Sequence, residues 1–312
     1  MSDAPATARD ATPERTAALM QRATQASVGV SGIMVALTLA AWIASDAVSL
    51  LSSLLDSLLD AAAALLNLWA VRQALTPADR EHRFGHGKVE PLASLGQAAF
   101  IAGSAVLLLF EALQHLLSPV PIRNTAFGIA VMLVSIALAL GLYLYERHVV
   151  RRTGSLVVSV DALHYRTHLF VNTSVIVSLL LATELGWVAV DPLFGGVIAV
   201  WIIHGAWQMA RQSVTQLMDR ELPDDQRARI RAIALAAPEV RAVHDLRTRA
   251  AGPAAFIQIH LEMDGALSLA EAHRISDRVE AEILAAFPHA EVLIHQDPEG
   301  VEEARAVFGA DT

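Results

Sequence analysis

Two pairs of ionisable residues interrupt apolar runs that are otherwise long enough to cross a membrane. Asp56 and Asp60 lie within the run 48–71, and His164 and His168 within the run 153–183. Each pair is spaced i, i+4, so on a helix both members share one face. Carboxylates and imidazoles are costly in hydrocarbon, and such residues usually mark an ion pathway. Two carboxylates plus two imidazoles also make a full tetrahedral ligand set for Zn²⁺ or a similar divalent metal.

The remaining apolar runs define the membrane part. A span needs about 20 apolar residues. The runs 23–45, 47–71, 91–116, 124–145, 154–183 and 188–210 meet that length, which gives six spans and places both termini on one side. Arg72, Arg80, Arg83 and Lys88 follow the second span, Arg147, Arg151 and Arg152 the fourth, and Arg211 and Arg220 the sixth; the opposite side carries Arg123 alone. The positive-inside rule therefore puts both termini in the cytoplasm. Residues 1–22 mix Arg9, Arg15 and Arg22 with Asp3, Asp10 and Glu14 and have no apolar core. They read as a disordered cytoplasmic tail and not as a cleavable signal peptide.

Composition narrows the chemistry. The chain is 54% hydrophobic, with a mean hydropathy of +0.45, which suits a membrane domain with a smaller soluble part. It has no cysteine, so disulfides and thiolate sites are excluded and any metal must be held by His, Asp or Glu. The 12 histidines fit that requirement. A net charge of −9 argues against a nucleic-acid partner.

Beyond residue 212 the pattern changes. Segment 227–237 has a helical period, 243–249 and 256–263 alternate like strands, 269–287 is helical again and 292–295 reads as a last strand. Gly252 and Pro253 mark the turn between the first two strands. The expected fold is an all-α, six-helix transmembrane domain over 23–212, followed by a small cytoplasmic α+β domain over 213–312 in the order αββαβ, with its helices on one face of the sheet.

At about 1.5 Å per residue, Asp56, Asp60, His164 and His168 all fall near the middle of the bilayer. Metal binds neutral imidazole and ionised carboxylate, so loading such a site displaces protons. A site facing alternately inward and outward would exchange metal for protons. Asn67 shares the face of the aspartate pair, and Asp161 and Asn172 that of the histidine pair. They are either partners that orient the ligands or interhelical hydrogen-bonding groups.

Two further groups of ligand-type residues lie outside the membrane. Asp79, His82 and His86 are either a three-ligand metal site or a solvated polar loop. His244, His260, His273, His295 and Asp297 spread over three strands and a helix. Gathered at a sheet edge, they suit two adjacent metals bridged by Asp297; otherwise they are scattered surface residues.

At these motifs the chain resembles the cation diffusion facilitator family, most of all its bacterial ferrous-iron/zinc efflux branch. The matching segments are Leu55-Asp56-Ser57-Leu58-Leu59-Asp60, Phe84-Gly85-His86-Gly87-Lys88, His244-Asp245-Leu246-Arg247-Thr248-Arg249, Phe256-Ile257-Gln258-Ile259-His260-Leu261-Glu262-Met263 and Ile294-His295-Gln296-Asp297-Pro298. The resemblance implies a homodimer in the bacterial inner membrane, with a ferredoxin-like, metallochaperone-like cytoplasmic domain, working by alternating access and proton antiport. It implies a transport site at Asp56, Asp60, His164 and the position of His168. A loop site would fall at Asp79, His82 and His86, and a dinuclear dimer-interface site at His244, His260, His273, His295 and Asp297. An interlocking dimer salt bridge would join Lys88 to Asp219; Lys88 is the single lysine among 23 basic residues.

Two positions depart from that branch. His168 stands where the branch usually has Asp, and the Asp₂His₂ composition moves the expected cargo toward Zn²⁺, with Cd²⁺, Fe²⁺ and Co²⁺ as further substrates. Arg166 has no counterpart role: it either snorkels to the interface, pairs with an acid such as Asp161, or approaches the site and weakens it. Alternative readings are an efflux protein whose main substrate is Fe²⁺, Mn²⁺ or Co²⁺/Ni²⁺, a membrane metal sensor without transport, and an intramembrane protease. The last finds neither H-E-x-x-H nor a serine nucleophile elbow in this chain, and no enzymatic activity is expected.

Overall fold

A computed structural model describes residues 13–45, 48–117, 126–185 and 190–301. It contains eight helices and three strands among the described residues: α1 (Pro13–Ser45), α2 (Val48–Ala74), α3 (Val89–Leu117), α4 (Ala126–Thr153), α5 (Leu156–Leu185), α6 (Val190–Leu217), α7 (Asp224–Leu235), β1 (Val240–Ala251), β2 (Ala254–Met263), α8 (Leu269–Ala286) and β3 (Ala290–Pro298). The chain divides into two compact units that part after Met218, the turn residues Ala251–Pro253 being grouped with the first.

Among the described residues, the first unit is built from the helices α1 to α6. Five of its helices are long and apolar enough to cross a bilayer, over Glu14–Ala40, Leu54–Ala74, Val89–Leu117, Leu133–Thr153 and Pro192–Leu217. The 30-residue α5 is long enough, but its first half carries Asp161, His164, Arg166 and His168. Two expected boundaries shift. The tail expected over 1–22 is helical from Pro13, and Thr16 and Met20 are buried; residues 1–12 lie outside the described part. Proline suits a first helical turn, where its missing N–H has no partner to lose, and Glu14 complements the helix dipole there. Hydropathy missed this start because Arg15 and Arg22 extend the helix past the apolar span. Likewise α6 continues beyond residue 212 to Leu217.

Packing in this unit sets up the polar interior. α1 packs on α2 and α4, α3 on α6, and α5 touches α2, α3, α4 and α6. Buried Glu90 of α3 accepts hydrogen bonds from the Ser155 hydroxyl and from the Val157 N–H (3.4 Å). It thereby satisfies donors at the start of α5 that no helical carbonyl reaches. α5, which carries both site histidines, is thus anchored at its first turn.

The second unit has the expected order αββαβ. The sheet order is β1-β2-β3, with β2 and β3 parallel across the α8 crossover and β1 joined to β2 through a turn at Gly252, whose φ is 60°. β1 and β3 extend beyond their expected cores at both ends, and β2 begins two residues earlier than expected and ends at Met263 as expected. Ile257, Ile259, Leu261 and Met263 of β2 alternate inward, each at most 2% exposed, and pack on Ile230 of α7 and on Ile275, Val279 and Ile283 of α8. The last three recur at i, i+4 on one helix face. α8 starts on a capping box in which Ser268 accepts from the Glu271 N–H and the Glu271 carboxylate accepts from the Ser268 N–H. With one sheet face covered by α7 and α8, the alternate residues of the strands lie on the other.

Candidate metal sites

In the helical unit, α2 and α5 bring Asp60, His164 and His168 together. Asp60 Oδ1 lies 3.1 Å from His164 Nε2, and Oδ2 lies 3.3 Å from His168 Nε2. The two Nε2 atoms are themselves 3.1 Å apart. The i, i+4 spacing makes this possible: successive turns of α5 present both rings to one carboxylate of the facing helix. The Tyr165 ring stands edge-on to His164 at 5.6 Å and donates its own hydroxyl to the Ser27 carbonyl (3.4 Å), fixing this wall of the site. Three ligand atoms within 4.8 Å of one another can converge on one ion. Asp56 is outside this group and exposed, one turn nearer the start of α2. A helix rises about 6 Å over four residues, so the carboxylate that meets both rings leaves the other a turn away.

Other intramembrane polar residues have different surroundings. Asn67 is fully buried, and its amide has no hydrogen-bond partner among the described residues. Asp161 is buried and accepts from Gln97 Nε2 at 3.4 Å. Arg166 pairs with neither Asp161 nor the site; its guanidinium lies over the Trp201 ring of α6, 4.5 Å from the centroid.

The segment after α2 gathers a second group. His82 Nδ1 lies 3.4 Å from Asp79 Oδ1, and His86 Nε2 lies 3.5 Å from Asp79 Oδ2. Gly85, at φ 76°, turns the chain so that two imidazoles four residues apart reach one carboxylate outside a helix. Backbone N–H groups of His82 (2.6 Å) and Glu81 (2.9 Å) donate to Asp79 Oδ1 and hold its carboxyl below the usual range. His86 is buried, with Nδ1 3.4 Å from the Thr76 carbonyl, whereas Asp79 and His82 are exposed, leaving the site open to solvent.

The third group occupies the uncovered face of the sheet. Parallel register sets His260 beside His295 and Glu262 beside Asp297. Asp297 Oδ2 lies 2.9 Å from both His244 Nε2 and His260 Nδ1, and Oδ1 lies 3.0 Å from His295 Nε2. Burial pushes the Asp297 carboxyl up, but the His260 hydrogen bond and the charges of His260, His295 and His244 outweigh it, so the net shift is downward. Both ring nitrogens of His244, and Asp297 Oδ1, are buried and close to polar neighbours, yet lack hydrogen-bonding geometry. Lone pairs placed in this way fit a cation better than a hydrogen-bond network.

Not every expected ligand joins. His273 lies on α8, which covers the other face of the sheet, 3.6 Å from Asp277 and exposed. Conversely, Glu262 Oε1 lies 2.9 Å from His244 Nδ1, and Asp245 Oδ2 lies 3.6 Å from His260 Nε2. Glu262 was legible as the i+2 neighbour of His260. Asp245 was not, because alternation points it away from His244; its left-handed backbone (φ 43°) turns it back, held by Arg247 at 2.9 and 3.0 Å. Those bonds also lower the Asp245 carboxyl. Lys88 Nζ donates to the carbonyls of Gln216 (2.9 Å) and Leu217 (3.3 Å), and Asp219 lies 3.4 Å from Arg249.

A helical membrane unit with carboxylate and imidazole in its interior, joined to a metal-ligand-rich α+β unit, is the architecture of a cation transporter. Residues 24–218 match the cation efflux transmembrane domain and residues 222–299 the cation efflux protein cytoplasmic domain. The chain belongs to the cation diffusion facilitator family and is a multi-pass cation efflux transporter of that family. It is 47% identical over 280 residues to the cation-efflux pump FieF of Shewanella oneidensis, covering 90% of this chain and 94% of the relative. Identity to FieF of Klebsiella pneumoniae is 44% over 286 residues, covering 92% and 95%. Among solved structures, the zinc form of the putative zinc transporter CzrB is 39% identical, spanning 27% of this chain and 98% of that one, with a TM-score of 0.26.

Proposed function

We propose that this protein is a Zn²⁺/H⁺ antiporter of the bacterial inner membrane, acting as a homodimer with both termini in the cytoplasm. The observation that supports this most is the meeting of Asp60, His164 and His168 between two membrane helices. Two ring nitrogens and a carboxylate packed this closely hold either protons or a metal ion, because both compete for the same lone pairs. In the loaded state Asp56 completes a tetrahedral set after a change of side-chain rotamer. Alternating exposure of the site then moves metal outward and protons inward. Imidazole favours Zn²⁺ over Mn²⁺ and accommodates Cd²⁺, Co²⁺ and Fe²⁺. Secondary active transport of this kind needs no enzymatic step.

The sites outside the membrane serve capture and regulation. Asp79, His82 and His86 take up ions from the cytoplasm. His244, His260, His295 and Asp297, joined by His273 from a second copy, hold zinc at the dimer interface, and Lys88 with Asp219 ties the dimer. Zinc bound there offsets clustered negative charge and favours the closed pair of domains, provided it binds the two arrangements unequally.

The test is metal flux into proteoliposomes under a set pH gradient, offering Zn²⁺, Cd²⁺, Co²⁺, Fe²⁺ and Mn²⁺. Wild type should move Zn²⁺ in exchange for protons, Asp60→Ala should not, and His168→Asp should broaden selectivity toward Fe²⁺ and Mn²⁺. A wild type that moves no metal refutes transport and leaves a metal sensor.

A further inference from the structure

Arg166 has no part in the metal site, although it lies ten residues into α5. A guanidinium at that depth is costly and calls for a function or a partner. It lines a cleft of about 280 Å³ between α4, α5 and α6, together with Arg147, Arg151, Tyr143 and Gln208. No carboxylate lines this cleft, and none forms an ion pair with the three arginines among the described residues. Three positive charges thus face one small space without a counter-ion among the described residues.

The geometry points to a binding site for the phosphate of an anionic membrane lipid. Arg147 and Arg151 are i, i+4 on α4, so both reach the same side. The helices run antiparallel from the turn after Thr153, and Arg147 and Arg166 fall at depths within about 6 Å of each other. The Arg166 guanidinium carbon lies over the Trp201 indole, and Phe170 backs that indole edge-on at 5.0 Å. A cation–π contact uses none of the N–H donors and leaves them for a ligand, and Arg166 Nε is buried without a hydrogen-bond partner among the described residues. A phosphodiester matches that fork. Leu163 and Met209 give the cleft an apolar flank suited to an acyl chain. A lipid fits better than free phosphate: Arg147 and Arg151 lie in the last two turns of α4, so the cleft they share with Arg166 extends from mid-helix to the helix end where headgroups sit, and basic pockets there select anionic headgroups.

Native mass spectrometry on delipidated, detergent-solubilised protein tests this, with phosphatidylglycerol, phosphatidylcholine and inorganic phosphate offered separately. Wild type should retain phosphatidylglycerol over phosphatidylcholine. Arg166→Gln should reduce that preference about tenfold, the scale of one lost charge-assisted contact. The exposed double variant Arg147→Gln/Arg151→Gln should also reduce it, and it decides the matter if Arg166→Gln does not fold. Equal retention of both lipids by wild type, or an unchanged preference in the folded variants, overturns the site. Displacement of phosphatidylglycerol by millimolar inorganic phosphate overturns the lipid assignment.

Discussion

Replacing Asp297 by Asn should weaken zinc binding at the site on the uncovered face of the sheet by about two orders of magnitude. Asp297 is 6% exposed, and its two oxygens meet three imidazole nitrogens at 2.9–3.0 Å. A four-ligand zinc site binds with roughly 10–16 kcal/mol, so one ligand carries about 3 kcal/mol, or about 100-fold in Kd. Asn keeps the size but loses the charge, and it offers one oxygen where the carboxylate offers two. The assay is competition against a zinc-chelating dye, in an Asp60→Ala/His82→Ala background that silences the other sites. Without metal, the sign follows from the carboxyl's lowered pKa. A depressed carboxyl contributes stability that is present above its unfolded value, about pH 4, and is lost as pH falls through its lower folded value. Metal-free wild type should therefore melt above Asp297→Asn from neutral pH down to about pH 4, and the two should converge below it. A Kd within about threefold of the background protein, or a melting difference that grows on acidification, would refute the reasoning.

Other outcomes follow from the same structure. His82→Ala removes a ligand from an open site and should weaken zinc capture by the segment after α2, seen as slower uptake at limiting Zn²⁺ with the saturated rate unchanged. Ile259→Ala empties a fully buried position of the sheet and should cost the second unit about 2–5 kcal/mol in denaturant unfolding. Ser268→Ala should cost about 1 kcal/mol by removing the α8 cap. The Glu271 carboxyl of that cap is held low by its Ser268 hydrogen bonds, so its share is present above about pH 4.3 and lost on further acidification; the wild-type advantage in melting temperature should shrink there.

The sequence determined by itself what local periodicity carries. Apolar runs of spanning length, alternation in 256–263 and the i, i+4 pairs specify helices, strands and faces without reference to distant residues. The order αββαβ and the identity of the ligand-type residues were legible for the same reason. Tertiary structure decided which of those residues meet. Packing of α2 on α5 selects Asp60 over Asp56, a choice that helical spacing leaves open because both share a face. Parallel register sets Asp297 among His244, His260 and His295, while α8, on the opposite side of the sheet, carries His273 away. Register and crossover depend on the burial of Ile257, Ile259 and Leu261 against two helices, a long-range balance that no local window contains. The surroundings of Arg166 were equally beyond local reading: its partner is an indole 35 residues on, brought near by the packing of α5 against α6.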